Sequence, residues 1–519
     1  MAVLMDFYDF ITGDSNMKQI KKLLVLSIYL LVLVCFCQSA CAKQIGSDGP
    51  KCVAFVDLGP EIVPQPGQML NVSVKFNREM DVNSIPVCKI VAGKKKIVLD
   101  QGQWTEKGFR YNFKPVTLDQ TQSKGMMTFS GARSVEKQLM QTESRAICIG
   151  NEPILKRVKS IARFAMQNPH KAIFVNGYNY RTQLGLYEIT GDKEHLSNVK
   201  RYAEELLDSQ KPAGYWGTGY GAVYFADTGS ALGLLTNYYK WATPEQQKRI
   251  IAALEKYIAM LEKGDGKESF VHENGALGAG YHFAKDRKSF SDTFNGDYTI
   301  STSLSGCQIF AAMYYMTGQE KYKNVAVKAT NWLLDTMADD GRLPYVIDSW
   351  NPGRKDKEYL WYRWLYDTSA YVSEGFIAAW TYIDDPAFRK QLEERVKAHV
   401  NFLLWTQNDD GSWAKKGSHD QLRSHGLVNL LLWYYYNVDK EPAVARAIRN
   451  YYNLLLDEEK SQYLSIPAEG IDIDYGKMRQ SKADVNKNDV FLMGIPVSLS
   501  SRALVEVVKP CVDCYRWKD

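Results

Sequence analysis

From about residue 150 to 510 the chain alternates between two kinds of helical segment. One kind carries a charged face: about 152–168, 193–208, 245–262, 319–336, 386–405 and 440–456. The other is rich in Gly, Ser, Ala and aromatic residues: about 173–189, 221–240, 297–317, 364–383, 419–437 and 489–507. A helix with one apolar stripe packs that side inward, whereas a helix apolar or small all round has to be enclosed. Six of each in strict alternation predict six helical hairpins. The expected fold is therefore mainly α, an (α/α)6 toroid with an inner and an outer ring and no strand between 150 and 450.

The hairpins repeat at both ends. Stretches such as "LYEITGDKEHL" (186–196) and "MYYMTGQEKY" (313–322) close one helix with aromatics and a short polar turn, then start the next. At the other end, "LLDSQKPAGYWG" (206–217), "WLLDTMADDGRLPY" (332–345) and "FLLWTQNDDGSW" (402–413) share a plan. A helix ends, a Gly turn follows, and an aromatic returns toward the core. Asp409, Asp410 and Gly411 read as such a turn. The outer-to-inner connections are the long ones: 209–220, 263–296, 337–363, 406–418 and 457–488. Long loops in a compact domain are usually functional. They all emerge on the face where the inner helices begin, so the site is expected there.

The N-terminal third differs. Residues 17–42 have a basic start, an apolar run and a small-residue exit at Ala40-Cys41-Ala42, which is the pattern of a secretory signal peptide. Acylation of Cys37 or Cys41 is the lipoprotein alternative and the only route to a membrane that the sequence offers. An exported chain can oxidise the remaining cysteines, Cys52, Cys88, Cys148, Cys307, Cys511 and Cys514. Segments such as "QMLNVSVKF", "KKIVLD" and "FRYNFKP" alternate apolar and polar positions, as strands do. The piece "VSVKFNREMDVNSIPV" resembles bacterial immunoglobulin-like domains. That resemblance implies a small β-sandwich over 50–140 ahead of the toroid over 150–510.

The inner-helix starts are polar and aromatic: "NGYNYR" (176–181), "YGAVYFADTGS" (220–230), "FNGDYTIST" (294–302), "YRWLYDTSAY" (362–371) and "SHDQLRSHG" (418–426). Four of them present an Asp: Asp227, Asp297, Asp367 and Asp420. Any one Asp is explained as a helix N-cap. Four around one ring suggest carboxylate chemistry. Glycosidic cleavage needs two acids across a sugar, one to protonate the leaving oxygen and one as base or nucleophile. Asp297 is expected as the general acid with Asp227 as its partner. Flanking aromatics (Tyr224, Phe225, Phe294, Tyr298) would desolvate the carboxyls and raise their pKa. Asp367 and Glu273 are the next catalytic candidates.

Aromatic faces stack on sugars, and aromatics make up 12% of the chain. Tyr178, Tyr180, Trp216, Tyr224, Tyr298, Tyr366 and Trp413 are candidate substrate contacts, with His272 and His425 as polar ones. Arg181, Arg363 and Arg423 either fork a substrate carboxylate or neutralise the Asp ring. A net charge of +5 without a basic stripe does not suggest a nucleic-acid partner. His272 and His282 lack zinc-protease spacing, and His419 and His425 fall on different helix faces, so neither a metal nor a cofactor is expected. The sequence leaves oligomeric state open.

On the hairpin repeat, the "DGSW" and "DGRLPY" turns and the Asp-started inner helices, residues 150–510 resemble the six-hairpin glycosidases. The resemblance is notably to the unsaturated uronyl hydrolases and related β-glucuronidases (glycoside hydrolase families 88, 105 and 154). The resemblance implies a glycoside hydrolase acting on uronic-acid-containing oligosaccharides, which the 17–42 pattern would export, with Asp227 and Asp297 in the family's placement of two functional Asp residues. "ADTGSAL" and "NGDYTI" depart from the family signatures, which leaves sugar and mechanism open. In an unsaturated-uronide reaction the acid would protonate a C=C bond. The competing readings are a polysaccharide lyase with Tyr366 and His425 as acid and base, a terpene-type cyclase suggested by "QNDDGSW", and a non-catalytic glycan-binding protein.

Overall fold

The computed structural model describes residues 54–58, 61–68, 72–76, 79–92, 95–105, 108–111, 123–140, 142–170, 172–216, 222–283, 290–294, 296–345, 364–416, 418–457, 461, 464 and 491–509. The segment 17–42, Arg363, Cys52, Cys511 and Cys514 lie outside them.

Among the described residues, twelve helices follow one another as six hairpins. The outer series is α1 (Glu152–Gln167), α3 (Lys193–Asp208), α5 (Pro244–Lys263), α7 (Glu320–Thr336), α9 (Pro386–Thr406) and α11 (Pro442–Leu456). The inner series is α2 (Ile173–Thr190), α4 (Phe225–Tyr238), α6 (299–317, π-helical over Thr302–Ile309), α8 (Leu365–Tyr382), α10 (419–437, with a 3-10 turn at Ser424–Gly426) and α12 (Phe491–Val508). Each inner helix packs on the next, and α12 packs back on α2, so the ring closes.

Small residues let the inner helices approach closely. A Cβ on Gly229 would overlap Leu304, and one on Gly375 would overlap Ser303. Buried hydroxyls satisfy backbone groups there: Ser303 Oγ donates to the Tyr371 carbonyl (2.9 Å) and Ser305 Oγ to that of Phe225 (2.7 Å). The outer helices show the capping that their sequences announce. Thr243 and Gln246 form a capping box at α5, and Asp385 caps α9.

The Gly turns are one repeated device. Gly214 and Gly411 have φ of 99° and 92°, a region that side chains disfavour. Each lies flat against a backbone carbonyl of the next outer helix, Lys256 in α5 for Gly214 and Asn450 in α11 for Gly411. Gly341 sits likewise on Ala398 of α9. A glutamine clamps two of these turns: Gln210 Nε2 donates to the Gly214 and Ala253 carbonyls, and Gln407 Nε2 to those of Gly411 and Ala447.

Ahead of the ring stand two four-stranded antiparallel sheets. One has the order β1 (Ala54–Asp57), β2 (Ser73–Phe76), β6 (Gly108–Tyr111), β5 (Gly102–Thr105). The other has β4 (Lys95–Leu99), β3 (Val87–Ala92), β7 (Ser123–Ser130), β8 (Glu143–Ile149). Val74 and Phe109 of the first share a core with Cys88, Ile90, Phe129 and Ile147 of the second. The last strand runs past residue 140 and leads directly into α1. The sheets rest on α11: Lys124 Nζ donates to the Leu456 carbonyl (3.1 Å) and Tyr452 Oη to that of Ile62 (2.8 Å). Cys88, Cys148 and Cys307 are buried thiols without disulfide partners.

One expectation fails. Among the described residues between 150 and 450 lie three short strands, β9 (Ala222–Tyr224), β10 (Gly280–Phe283) and β11 (Phe290–Phe294), in one antiparallel sheet. Two long loops meet at the mouth of the ring, and their backbone groups pair with each other. Periodicity over so few residues gives no strand signal.

Candidate active site

The small sheet fixes the starts of α4 and α6 together. The Phe225 N–H donates to the Ala279 carbonyl (2.9 Å), and the Tyr298 N–H to that of Leu277 (3.0 Å). Asp227 in the first turn of α4 and Asp297 just before α6 are thereby held at the same end of the ring.

Their environments differ in kind. Burial pushes Asp227 up to about 7; Arg423 pulls against this and the like charge of Asp367 adds to it. Burial also works to raise Asp297, but hydrogen bonds from His272 Nδ1 (2.6 Å) and Asn274 Nδ2 (2.9 Å), with the His272 charge, outweigh it and leave Asp297 below the usual carboxylate range. The expectation that aromatics raise Asp297 is therefore corrected. The 272–274 turn reaches back to the carboxylate with two donors, which sequence spacing does not reveal. Glu273, between those donors, is exposed.

Asp367 opens α8 and is 1% exposed. Burial pushes it up to about 6, Arg423 opposes, and Asp420 contributes. Arg423 Nη1 lies 3.3 Å from Asp367 Oδ2, while Asp367 Oδ1 has no hydrogen-bond partner among the described residues. Asp420 accepts the backbone N–H groups of Asp367 (2.6 Å) and Tyr366 (3.2 Å), so it caps the neighbouring helix rather than its own. Trp364, the residue before α8, adopts a left-handed conformation (φ 53°), a strained state that tends to cluster at functional sites.

Two residues missed in the sequence complete the cluster. Tyr371, one turn beyond Asp367, is buried, and its hydroxyl has no partner among the described residues. Burial, then Asp367, raise its pKa, with Arg423 opposing and Asp227 and Glu374 adding. One turn deeper, Glu374 accepts from Tyr178 Oη (2.7 Å) and Arg181 Nη1 (2.8 Å) and forms an ion pair with Arg502 Nη1 at 2.7 Å. Burial works against its charge, but Arg502 and Arg181 hold it ionised. This network ties α2, α8 and α12 across the ring and forms the floor beneath Tyr371.

The other predicted contacts divide. Tyr224 and Tyr298 line the mouth beside Asp227 and Asp297, and the Tyr298 ring meets Tyr345 edge-on at 5.8 Å. Tyr178 and Arg181 belong to the Glu374 network, so of the three arginines Arg181 and Arg423 neutralise buried acids.

Trp216 and Trp413 are not sugar platforms: both are buried, with indole N–H groups donated to the Leu206 (2.6 Å) and Leu403 (2.9 Å) carbonyls of their own hairpins. Tyr180 stacks on Tyr202 at 4.1 Å, and Tyr366 on Phe402 at 6.0 Å, both toward outer helices. His425 Nδ1 meets the Tyr451 hydroxyl of α11 (2.6 Å), and burial pushes the imidazole down to about 3.

No family model matches the chain. No curated protein matches it either. Solved structures resemble it at the level of fold. A family 76 glycoside hydrolase from a bovine Bacteroides thetaiotaomicron strain is 12% identical with a TM-score of 0.43, covering 88% of this chain and 99% of that one. A possible member of family 105 from Salmonella enterica serovar Paratyphi A is 11% identical (TM-score 0.49), over 69% of this chain and 94% of that one. The unsaturated glucuronyl hydrolase of Bacillus sp. GL1 is 15% identical (TM-score 0.38), over 62% and 83%.

Proposed function

We propose that the chain is an exported glycoside hydrolase acting on uronic-acid-containing oligosaccharides, with Asp227 as general acid and Asp297 as general base. The observation that carries this reading is the separation of two carboxyls at one mouth: Asp227 is pushed up to about 7 and Asp297 is held below its ordinary value. Carboxyls whose environments drive their pKa values apart are matched to opposite proton-transfer roles. Protonated Asp227 delivers its proton to the glycosidic oxygen as the bond to the anomeric carbon breaks. Ionised Asp297 takes a proton from the water that attacks that carbon. On an unsaturated uronide, Asp227 instead protonates the C=C bond, and water adds with Asp297 as base. Arg423, whose charge bears on Asp227, Asp367 and Tyr371, is the cation that an incoming sugar carboxylate meets. In this reading the 50–140 strands are an immunoglobulin-like adaptor, and 17–42 directs export.

The lyase reading draws less support. Elimination requires a base, yet Tyr366 and His425 face outer helices, and Tyr371 is held protonated. Incubation with acidic oligosaccharides, read by product mass, tests the proposal. A product pair heavier than substrate by one water supports hydrolysis. Equal mass with new ultraviolet absorbance overturns it in favour of a lyase, and binding without product in favour of a glycan-binding protein.

A further inference from the structure

Outer helix α11 presents Arg446, Arg449, Asn450 and Asn453 at i, i+3, i+4 and i+7, so the four share one face. That face is turned toward the strand region, where an apolar stripe would ordinarily seal the contact. Instead these residues line a cleft of about 100 Å³, with Arg145 of β8 on the opposite wall. Such a volume holds several water molecules or the edge of a sugar ring with its carboxylate. Arg145, Arg446 and Arg449 line the cleft together with the carboxylate Asp409, and Arg145 also pairs with Glu143 at 3.3 Å. Arg449, 3% exposed, also anchors the strands by donating to the Glu61 carbonyl. The buried Asn453 Oδ1 has no donor among the described residues. An unmet buried acceptor beside guanidinium groups is suited to a ligand that brings both a hydroxyl donor and an anionic group.

The cleft also communicates with the ring mouth. The 406–413 turn borders it, at the end of the ring where the inner helices begin. Asn408 Nδ2 and Gln421 Nε2 both donate to Ser412 Oγ (3.1 and 3.0 Å), and Gln421 lies between Asp420 and Arg423 in α10.

We infer that this cleft is a second carbohydrate subsite, which takes a uronate residue of an acidic glycan with its carboxylate on Arg145 and Arg446 and ring hydroxyls on Asn450 and Asn453. It lies outside the ring and is read by binding, so it stands or falls separately from the hydrolase assignment.

The test is calorimetric titration of the full-length chain with an oligogalacturonate, its methyl ester and inorganic sulfate. Asp227→Asn in every sample blocks turnover. The inference expects a uronate site that Arg446→Ala weakens roughly tenfold or more, as the loss of a charge-assisted hydrogen bond would. The methyl ester should bind it poorly. Asn450→Ala, at a partly exposed position that does not anchor the strands, should weaken the same site with an unchanged melting temperature. This second variant keeps the test open if Arg446→Ala unfolds. Equal affinity in parent and Asn450→Ala, equal binding of acid and ester, or full displacement by sulfate at matched ionic strength would each overturn it. Binding abolished by Asp297→Asn and untouched by both cleft variants would place all recognition at the ring mouth and overturn it too. Absence of hydrolysis by the chain with Asp227 unchanged, alongside an intact cleft-dependent site, would sink the hydrolase reading alone.

Discussion

His272 Nδ1 lies 2.6 Å from Asp297 Oδ1 and keeps that carboxylate ionised in a half-buried position. A general base is active only when ionised, so turnover falls as pH drops through its pKa. His272→Ala removes a hydrogen bond and a charge that lower this pKa. The acid limb of kcat/KM against pH should move to higher pH, and an unmoved limb would show that Asp297 is not the base.

Asp227→Asn should separate activity from stability. As proton donor, its loss should lower kcat by roughly 10²–10⁴-fold. The folded pKa of about 7 lies above the ordinary carboxylate value. The contribution of Asp227 to stability is thus fully present below about pH 4 and is lost as pH rises toward 7. Asparagine carries no charge to bury. Urea unfolding should find the variant more stable than the parent by about 4 kcal/mol well above pH 7, with the difference vanishing in acid. A less stable variant at pH 8 would contradict the desolvation account.

The alkaline limb belongs to Asp227, which must be protonated to act. Activity should decline as pH rises through about 7. Asp367 lifts Asp227 by like charge and occupies Arg423. Asp367→Asn removes the first effect and frees the cation, and both changes lower the pKa of Asp227. The alkaline limb should shift to lower pH; an unmoved limb would mean that the two carboxyls are uncoupled.

Glu374→Gln leaves Arg181 and Arg502 buried without their shared carboxylate. Breaking a buried ion pair by removing one partner costs about 3–5 kcal/mol. Denaturant unfolding at neutral pH should show a loss of this size, and a loss under about 1 kcal/mol would mean that the network does little to hold the ring.

Sequence periodicity reached the ring almost helix for helix, because a charged face and its absence are read along each segment without knowledge of the neighbours. Start positions such as Lys193, Pro386 and His419 agree with the expected 193, 386 and 419. The site was less legible. Trp216 and Trp413 look like sugar platforms in a linear reading, since nothing in the sequence says that each indole folds back onto its own hairpin. Tyr371 and Glu374 were open to discovery. With Asp367 they stand at i, i+4 and i+7, a polar stripe in an otherwise apolar helix, and such a stripe inside an enclosed helix has to answer to something. The pairing of His272 with Asp297 spans 25 positions across a loop and has no local signature.

The glycines packed on the following outer helix give the ring an order of construction. A turn such as the one at Gly214 has no surface to rest on until α5 exists, and the one at Gly411 waits for α11. During synthesis each hairpin therefore emerges unfinished and is completed by its successor, like courses of masonry in which every stone is keyed by the next. The hairpin before a deletion would lose its seat along with the deleted one. Such a ring tolerates lengthened loops at its mouth far more readily than a change in the number of its repeats.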